Sequence, residues 1–169
     1  MYYSTDYVSQ LGIVTLASDG RNLAGAWFEG QKYYGSVLGD DILQEKNDIL
    51  RRAEQWLDLY FSGTGPDFMP AIHLTGSDFR KQVWKLLLEI PYGQTRTYGD
   101  IAEQIAAENG RKSMSAQAVG GAVGHNPVSI IIPCHRVVGA KGSLTGYAGG
   151  LDRKAKLLEW EQTEHDRSS

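Results

Sequence analysis

Apolar residues in the first third of the chain come in short runs that read as sheet. The segments LGIVTLAS and NLAGAWFE flank Asp19, Gly20 and Arg21, and an Asp-Gly pair between strand-like runs predicts a hairpin. From Asp41 the spacing changes. Ile49, Leu50, Ala53, Trp56, Leu57 and Tyr60 recur at helical intervals, and Gly63 is placed to stop the helix. GTGPDFMP then reads as a surface linker and AIHL as a short strand.

A second region opens near Thr75, where Phe79, Val83, Leu86, Leu87 and Ile90 form one helical stripe closed by Pro91. After the turn PYGQTR, Thr97 with Asp100 three residues on predicts a capping box. The helix it opens has Tyr98, Ile101, Ala102 and Ile105 on its apolar face. Gly110 breaks that helix, and Ser115 caps a short one rich in Ala and Gly that ends around Gly124. Two short helices around a Gly-containing turn predict a helix-turn-helix, with a turn longer than the usual three or four residues. The run SIIIP predicts a buried strand stopped by Pro133, and LDRKAKLLEWEQ predicts a final helix. The expected fold class is α+β, with a strand-and-helix domain over 1–75 and a helical domain over 76–169.

Composition narrows the function classes. Hydrophobic residues at 41% and charged residues at 22% are ordinary for a soluble globular protein. The N-terminus MYYSTDYVSQ has neither the basic nor the apolar segment of a secretory signal, and no apolar run is long enough to span a membrane. One cysteine cannot make an internal disulfide, which fits a reducing compartment. A cytoplasmic protein without a membrane partner is expected. The net charge of −3 argues mildly against nucleic acid, but the average hides an uneven distribution. From Asn109 to Leu151 there are four cations (Arg111, Lys112, Arg136 and Lys141) and no acid, so this block can present an electropositive face.

That block also holds the lone thiol, in IIIPCHRVVG. A structural cysteine behaves as a small hydrophobe, and the three isoleucines suit one. A reactive cysteine needs an electropositive setting that favours the thiolate, and His135 and Arg136 supply cations. In a continuous strand Cys134 and His135 would point to opposite faces, so cooperation between them requires a backbone bend at Pro133–Cys134.

NPVSIIIPCHRVVG, preceded by AQAVGGAVGH and followed by GSLTGYAGG, resembles the O6-alkylguanine-DNA alkyltransferase family, over about residues 78–161. The resemblance implies an RNase H-like N-terminal domain and a winged-helix-like C-terminal one. It also implies stoichiometric, irreversible transfer of an alkyl group from O6 of guanine, and O4 of thymine, to the protein's own cysteine. Under it Cys134 is the nucleophile, His135 the base, Glu161 the acid that orients the imidazole, and Tyr147 the donor to the leaving base. Asn126 holds the active-site turn. No cofactor is needed. The zinc of some relatives is not expected, since the N-terminal region has no cysteine and a single His73.

The implied partner is double-stranded DNA containing O6-alkylguanine, met by a monomer that extrudes the damaged nucleotide. Tyr98 would press on a phosphate, and Ser115, Gln117, Ala118 and Gly121 would lie along the minor groove, where small residues fit. Arg111, Lys112 and Arg136 would add charge, with Arg136 also bracing the site. Gln117 stands where many relatives carry an arginine that fills the vacated base position. Two other readings are a non-catalytic lesion-binding protein of the alkyltransferase-like kind, which would lack the reactive cysteine, and a cysteine hydrolase using the same Cys–His–Glu set.

Overall fold

The computed structural model describes residues 1–35, 38 and 40–168; Ser36, Val37, Gly39 and Ser169 lie outside the description. The chain divides into two compact units. One comprises Met1–Thr75 with Pro127–Ile131, the other Gly76–Asn126 with Ile132–Ser169. Among the described residues no helix is long and apolar enough to cross a membrane.

The first unit is a four-stranded sheet in the order β3-β2-β1-β4, with β1 Tyr2–Ser9, β2 Gly12–Ser18, β3 Leu23–Phe28 and β4 Ile42–Leu43. β1–β2 and β2–β3 are antiparallel, and β4 adds a short parallel edge to β1. The expected hairpin at Asp19 is present, but its connection runs from Asp19 to Asn22. The Asp19 carboxylate accepts from the amides of Arg21 (2.9 Å) and Asn22 (2.7 Å), an Asx turn, while Gly20 takes φ +97°. β3 is buried along its whole length, which explains a continuous apolar run in place of alternation. β1 has only Ser4 buried, so its polar pattern carried no strand signal. Asn47 caps helix α1, Asp48–Phe61, whose Leu50, Ala53, Trp56, Leu57 and Tyr60 face inward as their spacing predicts.

Two expected strands are corrected. AIHL forms one bridge, Ile72 to Leu23, flanked by two backbone bonds. The run SIIIP is likewise no strand: a single bridge joins Val128, just before it, to Ala26, the Ser129 amide donates to the Ala26 carbonyl, and the chain then turns. At Ile130 the backbone takes φ +70°, and the Ile131 amide donates to the Ser129 carbonyl at 2.8 Å, a γ-turn of the rarer hand. A buried β-branched residue at positive φ costs about 1–3 kcal/mol and persists only where its surroundings over-determine it. Here the Gln31 side-chain oxygen accepts from the Phe28 amide (3.0 Å) and the Ser129 hydroxyl (2.9 Å), all inside the first unit. Gln31→Met removes, at nearly constant shape, the acceptor that the Phe28 amide and the Ser129 hydroxyl share. It should cost about 1–3 kcal/mol, read as a drop in thermal midpoint of about 2–4 °C per kcal/mol; an unchanged midpoint would show that the carboxamide does not hold this turn.

The second unit contains four helices: α2 Asp78–Leu87, α3 Tyr98–Glu108, α4 Ala116–Gly124 and α5 Leu151–Ser168. Strands β5 (Arg96–Thr97) and β6 (Val137–Val138) form a short parallel pair. α2, α3 and α4 pack on one another, and Val83, Leu86, Leu87, Ile101 and Ile105 of the two expected faces are buried, as are Val119 and Val123 of α4. Trp84, outside the expected stripe, is also buried, and its indole donates to the Ala122 carbonyl at 2.8 Å. The Thr97–Asp100 capping box is formed, with both reciprocal bonds at 3.0 Å. Gly110 takes φ +65° beyond the end of α3, and Ser115 caps α4.

Candidate active site

The thiol sits where the sequence demands a bend. Pro133 takes φ −80° and ψ 64°, and the Cys134 amide donates back to the Ile132 carbonyl at 2.8 Å, an inverse γ-turn. Cys134–Arg136 then form one 3-10 turn, which places successive side chains about 120° apart where a strand would oppose them. All three are buried.

Three side chains converge on the sulfur. Asn126, just past the end of α4, donates its Nδ2 to the Ile132 carbonyl at 2.9 Å and hydrogen-bonds the thiol. The Tyr147 hydroxyl also favours the sulfur's anion, and Lys154 contributes a positive charge nearby. Burial pushes the thiol up from its ordinary value, while Asn126, Lys154 and Tyr147 pull the other way. At rest the thiol is therefore protonated, and the groups that would stabilise its anion are already in place.

Beside it, His135 Nε2 lies 2.5 Å from Glu161 Oε2. Burial holds the imidazole below its ordinary range; Glu161 opposes that, and Arg136 and Lys154 reinforce it. The Glu161 carboxyl is also buried, but His135 and Arg136 more than compensate and hold it well below the carboxylate range. The pair at neutral pH is thus a neutral imidazole and a carboxylate, a geometry suited to taking up a proton.

Lys154 is the functional residue that the pattern of LDRKAKLLEWEQ does not disclose. It is wholly buried on α5, with Nζ on the carbonyls of Thr145 (2.9 Å) and Gly146 (3.2 Å) and 3.4 Å from the Tyr98 hydroxyl. Burial brings it down to about 8 despite the thiol's influence. Lys154, Leu157 and Glu161 share one face of α5 at intervals of three and four, and all are buried. The available signal was two charges within an apolar stripe.

The remaining expected residues separate into surface and interior. Ser115, Gln117, Ala118 and Gly121 are exposed on α4 while Val119, Ala122 and Val123 face inward, and Arg111 and Lys112 are exposed in the connection before it. The Tyr98 hydroxyl donates to the Thr145 carbonyl at 2.9 Å, tying α3 to the segment that carries Tyr147. Arg136 departs from the expected phosphate contact. It is 8% exposed, and its guanidinium is used on Glu161 and on the Ile90 carbonyl.

Residues 78–163 match the family model of the 6-O-methylguanine DNA methyltransferase DNA-binding domain, a span that contains every one of these groups. The chain belongs to this family. A methylated-DNA–protein-cysteine methyltransferase of Mycolicibacterium paratuberculosis is 45% identical over 91% of this chain and 88% of its own. One from Methanosarcina acetivorans is 41% identical over 95% of this chain and 98% of its own. Among solved structures, Mycobacterium tuberculosis OGT in complex with DNA superposes with a TM-score of 0.85 at 41% identity, covering 96% of this chain and 94% of that one. The likeness thus extends through the N-terminal unit, where the family model does not reach, and the α+β class is that of the methyltransferases.

Proposed function

We propose that the protein repairs DNA directly, by moving the methyl group of O6-methylguanine, and of O4-methylthymine, irreversibly onto Cys134. The observation that carries this reading is the sulfur's setting: a buried thiol ringed by Asn126, Tyr147 and Lys154, next to a neutral His135 braced by Glu161. His135 takes up the thiol proton by way of a bound water. The thiolate attacks the methyl carbon in line, the new S–C bond forms as the C–O6 bond breaks, and the electron pair leaves on the guanine oxygen. The base recovers a proton with Tyr147 as donor. A thioether offers water no leaving group, so each molecule acts once and needs no cofactor.

In this reading residues 76–169 are the DNA-binding and catalytic domain, residues 1–75 the N-terminal alkyltransferase domain, and the protein works as a cytoplasmic monomer. α3 and α4 form the helix-turn-helix, and the exposed face of α4 enters the minor groove of a duplex whose damaged nucleotide is flipped out. Gly121 supports this. Its φ is not positive and a Cβ there would meet nothing within 4 Å, so the fold does not require a glycine, whereas close approach of another molecule would. Gln117 supplies a donor and an acceptor at the vacated base position, Arg111 and Lys112 contact phosphates, and Tyr98 presses on the flipped nucleotide.

Mixing the protein with one equivalent of duplex carrying labelled O6-methylguanine tests the reading. Intact mass spectrometry should show a gain of one methyl group, and digestion should place the label on the peptide containing Cys134. A protein that binds the duplex with its mass unchanged would instead be a lesion-binding protein.

A further inference from the structure

We propose that Arg136 is a positioning residue for methyl transfer: its guanidinium clamps the Glu161 carboxylate in the orientation that serves His135 and neutralises the carboxylate's charge. This rests on the reading of His135 as the proton acceptor and adds the device that keeps it one. The three guanidinium nitrogens are all in use. Nε meets Glu161 Oε1 at 2.7 Å, Nη2 meets Oε2 at 3.2 Å, and Nη1 donates to the Ile90 carbonyl at 2.7 Å. The Gly93 amide adds a bond to Oε1 at 3.2 Å, so Oε2 is left facing His135. A two-pronged arginine fixes the plane of a carboxylate, which one ammonium cannot do.

The charge arrangement matters as much as the orientation. A buried carboxylate with only an imidazole for company favours the imidazolium, as in a serine-protease triad. Here the same carboxylate is already paired with a permanent cation, so His135 meets a near-neutral pair in place of a full negative charge. Among the described residues, Lys154 faces this cluster from α5, and the Tyr92 ring lies 5.7 Å from the Arg136 guanidinium. Burial and the charges of Glu161 and Glu164, the latter also on α5, raise Tyr92 to about 12, so it stays uncharged at neutral pH. Loss of Arg136 should therefore make His135 easier to protonate, and the reaction should lose its base at a higher pH.

The test is the pH profile of single-turnover transfer from free O6-methylguanine base, a substrate that involves no DNA contact. In wild type the rate should fall on the acid side as His135 takes a proton, and His135→Asn should abolish that limb. Arg136→Met should move the limb upward, so that the rate at a pH on the wild-type shoulder drops about tenfold relative to its own plateau. Arg136→Lys restores the charge and should return the limb most of the way, at a reduced plateau. Arg136→Met/Glu161→Gln removes both charges together, avoids an unpaired buried carboxylate, and should carry the limb back down. If Arg136→Met does not fold, Arg136→Gln, which keeps hydrogen-bond donors and loses the charge, should show the same upward shift. A lowered rate with an unmoved limb in Arg136→Met or Arg136→Gln would make Arg136 a purely structural residue and overturn the proposal while leaving the relay intact. An acid limb that persists in His135→Asn would overturn the relay and the proposal together.

Discussion

Cys134→Ser should take up no methyl group from O6-methylguanine duplex, with a rate loss of at least about four orders of magnitude, the scale on which removal of an activated nucleophile acts. The reason lies in both the atom and its bed. A thiolate is a strong nucleophile that becomes accessible once a neighbouring base takes its proton, whereas a serine hydroxyl is a far weaker acid. Asn126, Lys154 and Tyr147 lower the cost of an anion on sulfur, yet burial already raises that cost for the thiol and would raise it further for an alkoxide. The substitution is small and nearly isosteric at a buried position, so duplex binding should survive. Wild type given excess substrate should stop at one methyl per molecule. Continued release of demethylated DNA from a fixed amount of protein would mean that the methyl group leaves the sulfur again, and the hydrolase reading would replace this one.

His135→Ala should slow transfer by about 10²–10⁴-fold, the usual contribution of a positioned general base, while leaving duplex affinity close to wild type. Burial has pushed the thiol up, so at neutral pH little thiolate exists without a proton acceptor. The imidazole is held low by burial and is therefore neutral and able to accept. The direction of the pH response follows. Because His135 lies below its ordinary range, wild type should keep its activity into mildly acidic conditions and lose it only as the imidazole protonates. In His135→Ala the remaining rate should climb with pH as the thiol ionises unaided, so the gap to wild type should narrow at high pH. A constant ratio between the two proteins across the pH range would indicate that His135 shapes the turn without handling the proton. Stopped-flow transfer of a labelled methyl group at several pH values measures this directly.

The helices were legible without coordinates because their causes are local. Ser115 and the Thr97–Asp100 box announce helix starts through bonds that span three residues, and Gly110 announces an end through a φ that only glycine takes without strain. The same holds for the bend at Pro133 and for the nucleophile in PCHR, whose meaning is carried by adjacent residues. The isoleucine run reads as a strand because a short apolar stretch looks alike in any buried conformation. Which conformation it takes was decided by Ala26 and Gln31, about a hundred residues earlier in the chain, which bond to Pro127 and Ser129. β1 was invisible for a related reason: its partner strand, not its own polar residues, makes it a strand.

Charge shows the division most clearly. The chain alone places Arg136 beside the thiol and Lys154 on a helix otherwise rich in exposed charge, where both would be expected to face water. Only the packing of α5 against the 3-10 turn brings Glu161 to Arg136 and His135, and only the return of Thr145 and Gly146 surrounds the Lys154 ammonium with carbonyls. A buried ion is tolerable when partners from elsewhere in the fold replace its water. A single sequence names the ions, but the partners that make burial possible exist only once the chain has closed around them.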